Sequence, residues 1–135
     1  MMKRQRQEHE EQCAFFSWIR LHEKRHPELK RFFAIPNGQR RDHGVAIQLY
    51  LEGVRAGVLD THLPMPRQGK TGLWIEFKAG RNTLTPDQVA WREELQREGH
   101  AVFVVYSWIE AARITAAYLE LPDLVPAATL ATQAK

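Results

Sequence analysis

The chain has 135 residues, 44% hydrophobic and 26% charged, with one cysteine and a formal net charge of +3. That length suits one domain of about 100–200 residues, and the composition excludes a disordered chain, a collagen-like fibre and a small disulfide scaffold. The longest apolar run, residues 101–106, falls far short of the roughly 20 residues that span a bilayer, so no membrane-crossing segment is expected.

The net charge conceals an asymmetry: residues 1–81 hold 15 Lys/Arg against 9 Asp/Glu, and residues 82–135 hold 4 against 7. A basic two-thirds suits a polyanion, although moderately basic chains are common among proteins that touch no nucleic acid. Lys3, Arg4, Arg6, Glu8, Glu10 and Glu11 open the chain with no apolar stretch behind them. No signal peptide is therefore expected, and the protein is expected in the cytoplasm. Cys13, being alone, forms no internal disulfide and excludes a multi-cysteine zinc site, which suits a reducing compartment.

In chain order, residues 7–25 read as an amphipathic helix. At about 100° per residue Glu8, Gln12, Phe15, Ile19 and His22 share one stripe, and Pro27 ends it. Glu8 lies on the centre line of the face to be buried, so its carboxylate needs a partner. Residues 31–35 read as a short strand, followed by the turn signal Pro36-Asn37-Gly38. A helix is predicted from Asp42 as N-cap to Gly53 as C-terminal cap. Strands are predicted over 58–63 and 73–78, with a loop over 64–70. Thr85, Pro86 and Gln88 form a Thr-Pro-x-Gln capping box that opens a helix stopped by Gly99. Residues 101–106 are apolar throughout, as expected of a strand covered on both faces. Ser107 to Glu110 reads as a second capping box, opening a helix to Pro122. One domain over 1–122 and a frayed tail over 123–135 are expected.

The strand, helix, strand order of residues 73–106 requires a parallel pair. The predicted class is α/β, with a central mixed sheet flanked by helices.

Alternation in residues 73–78 puts Trp74, Glu76 and Lys78 on one side and Leu73, Ile75 and Phe77 on the other. A carboxylate and an ammonium in an apolar strand are costly unless paired or bound. A structural Glu–Lys pair at a sheet edge is the bland explanation. If 58–63 and 73–78 form an antiparallel hairpin, however, Asp60 approaches Glu76 across the ladder. Two adjacent carboxylates are stable with a divalent cation between them, and Mg²⁺ or Mn²⁺ favours such oxygen donors. Lys78 beside them would orient a water or neutralise charge at phosphorus. Together these residue types describe metal-assisted phosphodiester hydrolysis.

The series Glu8 with Gln12, Pro36-Asn37-Gly38, Gly53-Val54-Arg55-Ala56-Gly57-Val58-Leu59-Asp60, Ile75-Glu76-Phe77-Lys78 and Thr85-Pro86-Asp87-Gln88 resembles the PD-(D/E)XK nuclease superfamily. It is most similar to the virus-type replication-repair nuclease (VRR-NUC) domains, in their small stand-alone phage and bacterial form. The Glu-x-Lys triplet alone is a weak signal; the ordered series is a strong one. One departure is Leu59, where the family has proline. The resemblance implies a restriction-endonuclease-like core with Asp60, Glu76, the Phe77 backbone carbonyl and Glu8 as metal ligands. Lys78 would be the catalytic lysine and Gln88 an active-site polar residue.

Competing roles stay open for several residues. Gln88 has a capping role of its own, and Glu11 competes with Glu8 for the site. Asn37, Gln39, Arg40 and Arg41 form a donor-rich loop suited to DNA phosphates, with Lys70 and Arg81 as further phosphate ligands and Lys3, Arg4 and Arg6 as a basic arm. Solvated surface charge is the default for each. His22 and His26 have i, i+4 spacing, but surface or structural histidines are the simpler reading.

The expected protein is a Mg²⁺- or Mn²⁺-dependent DNA endonuclease in repair, recombination or phage replication, structure-specific in the manner of a Holliday-junction resolvase and homodimeric. The alternatives are a monomeric flap or nicking endonuclease, and an inactive nucleic-acid-binding module of nuclease fold.

Overall fold

The computed structural model describes residues 3–36, 43–122 and 124. Helix α1 (Lys3–His22) begins earlier than its periodicity predicts and buries Phe15, Trp18 and Ile19. Pro27–Arg31 then makes a 3-10 turn that buries Leu29. Strand β1 is only Phe33–Ala34, both residues exposed. It is shorter than expected because Arg31 completes the 3-10 turn and Pro36 has no N–H to donate.

Helix α2 (His43–Leu51) closes at Gly53, whose φ of +100° lets Gly53 N bond to Tyr50 O and Val54 N to Leu49 O. The expected Asp42 cap and the Asn37-Gly38 turn lie outside the described residues. Strand β2 (Thr61–Leu63) is shorter than the predicted 58–63. Gly57 turns the chain at φ +81°, Leu59 is fully buried, and Asp60 O accepts from Ile35 N. Asp60 therefore stands just before the strand and not within it.

Strand β3 (Leu73–Phe77) is central, and all five of its residues are buried. Phe77 packs on Phe15, while Trp74 on the opposite side stacks on His62 at 3.9 Å between ring centroids. Each fully buried apolar side chain of this size is worth about 1.5–3 kcal/mol. Helix α3 (Pro86–Arg97) carries the complete capping box, Thr85 Oγ1 accepting from Gln88 N and Gln88 Oε1 from Thr85 N. Gly99, at φ +91°, leads into β4 (Ala101–Val105).

The sheet order is β1-β2-β3-β4, antiparallel for the first two pairings and parallel for β3 with β4. This is the predicted mixed sheet. The expectation that residues 101–106 are covered on both faces is corrected: β4 is an edge strand, and Phe103 is 41% exposed. Helix α4 (Trp108–Leu119) packs with α1 against the sheet. Its expected capping box is half made. Ser107 Oγ accepts from Glu110 N, but the Glu110 carboxylate accepts from Tyr106 N, and Trp108 N donates to Glu11. The tail expected over 123–135 lies, except for Leu124, outside the described residues. Among those described, no helix is long and apolar enough to cross a membrane.

Candidate active site

Antiparallel pairing of Thr61 with Ile75 brings Asp60 opposite Glu76, the next pair in register. Asp60 N donates to Glu76 Oε1 at 2.8 Å, and Phe77 N donates to Asp60 Oδ2 at 2.9 Å. Each carboxylate is thus fixed by a backbone amide of the facing segment. Gln88 Nε2 donates to Glu76 Oε2 at 3.0 Å, and Lys78 Nζ lies 3.5 Å from the same oxygen. Gln88 fills both roles left open by its sequence: its carbonyl oxygen caps α3 and its amide nitrogen orients Glu76. The Glu76–Lys78 pair lies in and just beyond the central strand, not at a sheet edge.

Glu8 receives hydrogen bonds on Oε2 from Ala79 N and Asn82 Nδ2, each at 3.1 Å. Asn82 is itself held by Arg4, which donates to its Oδ1, and by Tyr106, whose hydroxyl donates to its backbone carbonyl. Glu11 points elsewhere, to the start of α4. The stripe position that favoured Glu8 over Glu11 therefore corresponds to the observed side-chain placement.

Glu76 is 3% exposed. Burial, reinforced by the Asp60 charge, pushes its carboxyl up to about 8. Burial also raises Asp60, against the opposing hydrogen bond from Phe77 N. Both shifts oppose ionisation of the two adjacent carboxyls together. Lys78 alone does not offset two ionised carboxylates here. A divalent cation would, and hard oxygen donors suit Mg²⁺ or Mn²⁺. Glu8, the further expected ligand, lines the same cavity. Among the described residues no three His, Cys, Asp or Glu side chains come together to hold a metal, and Glu8 Oε2 is engaged by the Ala79 and Asn82 amides.

Asp60, Glu76, Lys78, Gln88 and Glu8 line one cavity of about 600 Å³. No protein-family model matches the chain, and no curated protein matches it. Among solved structures it is similar to a "VRR_NUC domain protein", 26% identical over 70% of this chain and 72% of that one, with a TM-score of 0.57. That likeness supports the VRR-NUC resemblance drawn from the motif series. The four-stranded mixed sheet flanked by helices is consistent with a VRR-NUC nuclease fold.

The fold leaves other expected residues apart from the carboxylates. Arg81 is exposed on the loop just beyond β3, at the site's end of the sheet. Lys70 precedes β3 in a tight turn with Arg67, at the opposite end. A strand of this length separates it from Lys78 by roughly 17 Å, too far to share a phosphate with the site. Asn37, Gln39, Arg40 and Arg41 lie outside the described residues. His22 packs on Trp18 and joins no ligand cluster among the described residues.

Three residues of the site escaped the sequence reading. Asn82 holds Glu8, and Tyr50 and Arg55 line the cavity. Asn82 lies in a loop without periodicity, and Tyr50 reads as one apolar helix position among several. Arg55 was visible within the motif series, but nothing in its spacing marked its direction.

Proposed function

We propose that this protein is a VRR-NUC-type, Mg²⁺- or Mn²⁺-dependent DNA endonuclease, structure-specific in the manner of a Holliday-junction resolvase and acting as a homodimer. The observation that carries the reading is the Asp60–Glu76 pair, Asp60 half-buried and Glu76 buried beside it in an open cavity, with Lys78 against Glu76. Asp60, Glu76 and the Phe77 carbonyl would hold the ion. When bound, it would supply Lewis-acid polarisation of the phosphodiester and a more acidic water.

In the reaction a water oxygen bonds to phosphorus, the ester P–O bond breaks, and the leaving oxygen gains a proton. Lys78 contributes its ammonium to the charge that builds on the phosphoryl oxygens. Gln88 keeps Glu76 turned toward Asp60. Glu8 holds the Ala79–Asn82 turn behind Lys78 and so acts as a positioning residue. Two sites related by a two-fold axis suit a four-way junction, and shape recognition suits a domain whose only assigned polar site is catalytic.

The test incubates labelled four-way junction, flap and linear duplex with Mg²⁺, Mn²⁺ or EDTA, beside Lys78→Ala. Metal-dependent cutting that disappears in the variant, strongest on branched DNA, is expected. Junction binding without cutting under either metal would replace the reading with an inactive binding module. Light scattering is expected to return twice the 15.7 kDa chain mass; the single mass would leave a monomeric flap or nicking enzyme.

A further inference from the structure

Helix α2 has the composition of a buried helix without the burial. Of residues 44–51 only Leu49 is even half-buried, and Tyr50 is 71% exposed. Helices apolar over most of their circumference are ordinarily enclosed by protein. One arc of α2, comprising Ala46, Leu49 and Tyr50 and continued by Val54, lines the cavity that contains Asp60, Glu76 and Lys78. The cavity therefore has two chemistries, a charged floor at the end of β3 and an apolar, aromatic wall from α2, with Arg55 on the same lining.

A phosphodiester needs the charged floor and has no use for the apolar wall. A nucleobase does, because its flat face stacks on an aromatic ring whatever its sequence. In continuous duplex both faces of each base are already stacked on neighbours, so a tyrosine meets only base edges and backbone. A base that stacks on protein must be unpaired and turned out of the helix. At about 600 Å³ the cavity falls within the range of roughly 300–1,000 Å³ that accepts small organic groups.

Resting on the hydrolase reading above, we propose that Tyr50 is a specificity-determining residue. It stacks on an unpaired nucleobase next to the scissile phosphate, while Arg55 pairs with an adjacent phosphate. The substrate class is thereby narrowed to DNA whose cut strand carries an unpaired nucleotide at the cleavage point, as at a flap base or an opened branch point.

The test uses flap substrates carrying, at that nucleotide, a normal base, an abasic residue or fluorescent 2-aminopurine. Removing the base is expected to lower wild-type kcat/KM by about 5- to 150-fold. Tyr50→Ala is expected to lose a similar factor on the normal flap and little more on the abasic one, whereas Tyr50→Phe keeps wild-type behaviour. Equal abasic sensitivity in wild type and Tyr50→Ala would overturn the assignment. Stacking is read separately on a Lys78→Ala background, where 2-aminopurine emission should fall on binding and stay unquenched when Tyr50→Ala is added. Quenching unchanged by Tyr50→Ala would also overturn it. A wild type that cuts nothing yet quenches through Tyr50 would sink the hydrolase reading and leave the base contact standing. Exposure of Tyr50 makes misfolding a poor explanation for either variant, and Tyr50→Phe controls for it.

Discussion

Glu76 receives a backbone amide, a side-chain amide and an ammonium, and its carboxyl still lies near 8 because burial and Asp60 outweigh them. The folded state therefore binds more protons than the unfolded chain between the ordinary carboxyl value of 4.5 and about 8. Metal-free stability must fall as pH rises through that window, and it levels off above it. Thermal melts in EDTA are expected to show a Tm falling by several degrees across the window, given that roughly 1 kcal/mol moves Tm by about 3–5 °C at this size. Mn²⁺ should restore most of the loss at the high end. Asp60→Asn removes the repulsion while keeping an oxygen for Phe77 N, so its pH slope should be shallower, with cleavage abolished; an unchanged slope would mean that burial alone sets Glu76. Glu8 and Glu11 separate in the same terms. Glu8→Ala releases the Ala79–Asn82 turn and should lower cleavage at least about tenfold, the scale of one lost charge-assisted contact. Glu11→Ala removes an acceptor from the start of α4 and should cost about 1 kcal/mol of stability with cleavage retained.

The site depends on how consecutive elements are joined. Gly57 carries φ +81°, and an added Cβ would lie 2.5 Å from Asp87 Cβ, at the start of α3. Ala56 O, one residue earlier, accepts from Trp91 Nε1 of α3. These contacts tie the segment before Asp60 to the helix that carries Gln88, so two of the three partners of Glu76, Asp60 and Gln88, are positioned against one element. Gly57→Ala should destabilise by more than about 1 kcal/mol, from backbone strain and the clash together. It should also reduce cleavage even where the protein remains folded, which circular dichroism alongside the cutting assay would check. The α3 boundaries were legible because Thr85, Pro86, Gln88 and Gly99 each act locally. The β2 start was not, since periodicity ignores the positive φ at Gly57, which turns the chain just ahead of Asp60.

For the whole molecule, the charge asymmetry along the chain predicts a salt-dependent hold on DNA. With four or five phosphates neutralised at about −0.9 each, the slope of log K against log salt should be roughly −3 to −5. A flat dependence measured by fluorescence anisotropy would remove the polyanion from the account. Sequence by itself determined the α/β class, the order of elements, the antiparallel approach of Asp60 to Glu76 and the Glu8 stripe, because propensity, caps and alternation are local and their periods survive in one dimension. Tertiary structure decided what depends on neighbours remote in the chain. It made β4 an edge strand, engaged Glu8 with Ala79 and Asn82, and separated Lys70 from the site. It also turned Tyr50 and Arg55 into the cavity that holds Asp60 and Glu76. Those outcomes follow from which surfaces meet when the sheet closes against its helices, and no spacing along the chain encodes the meeting of surfaces.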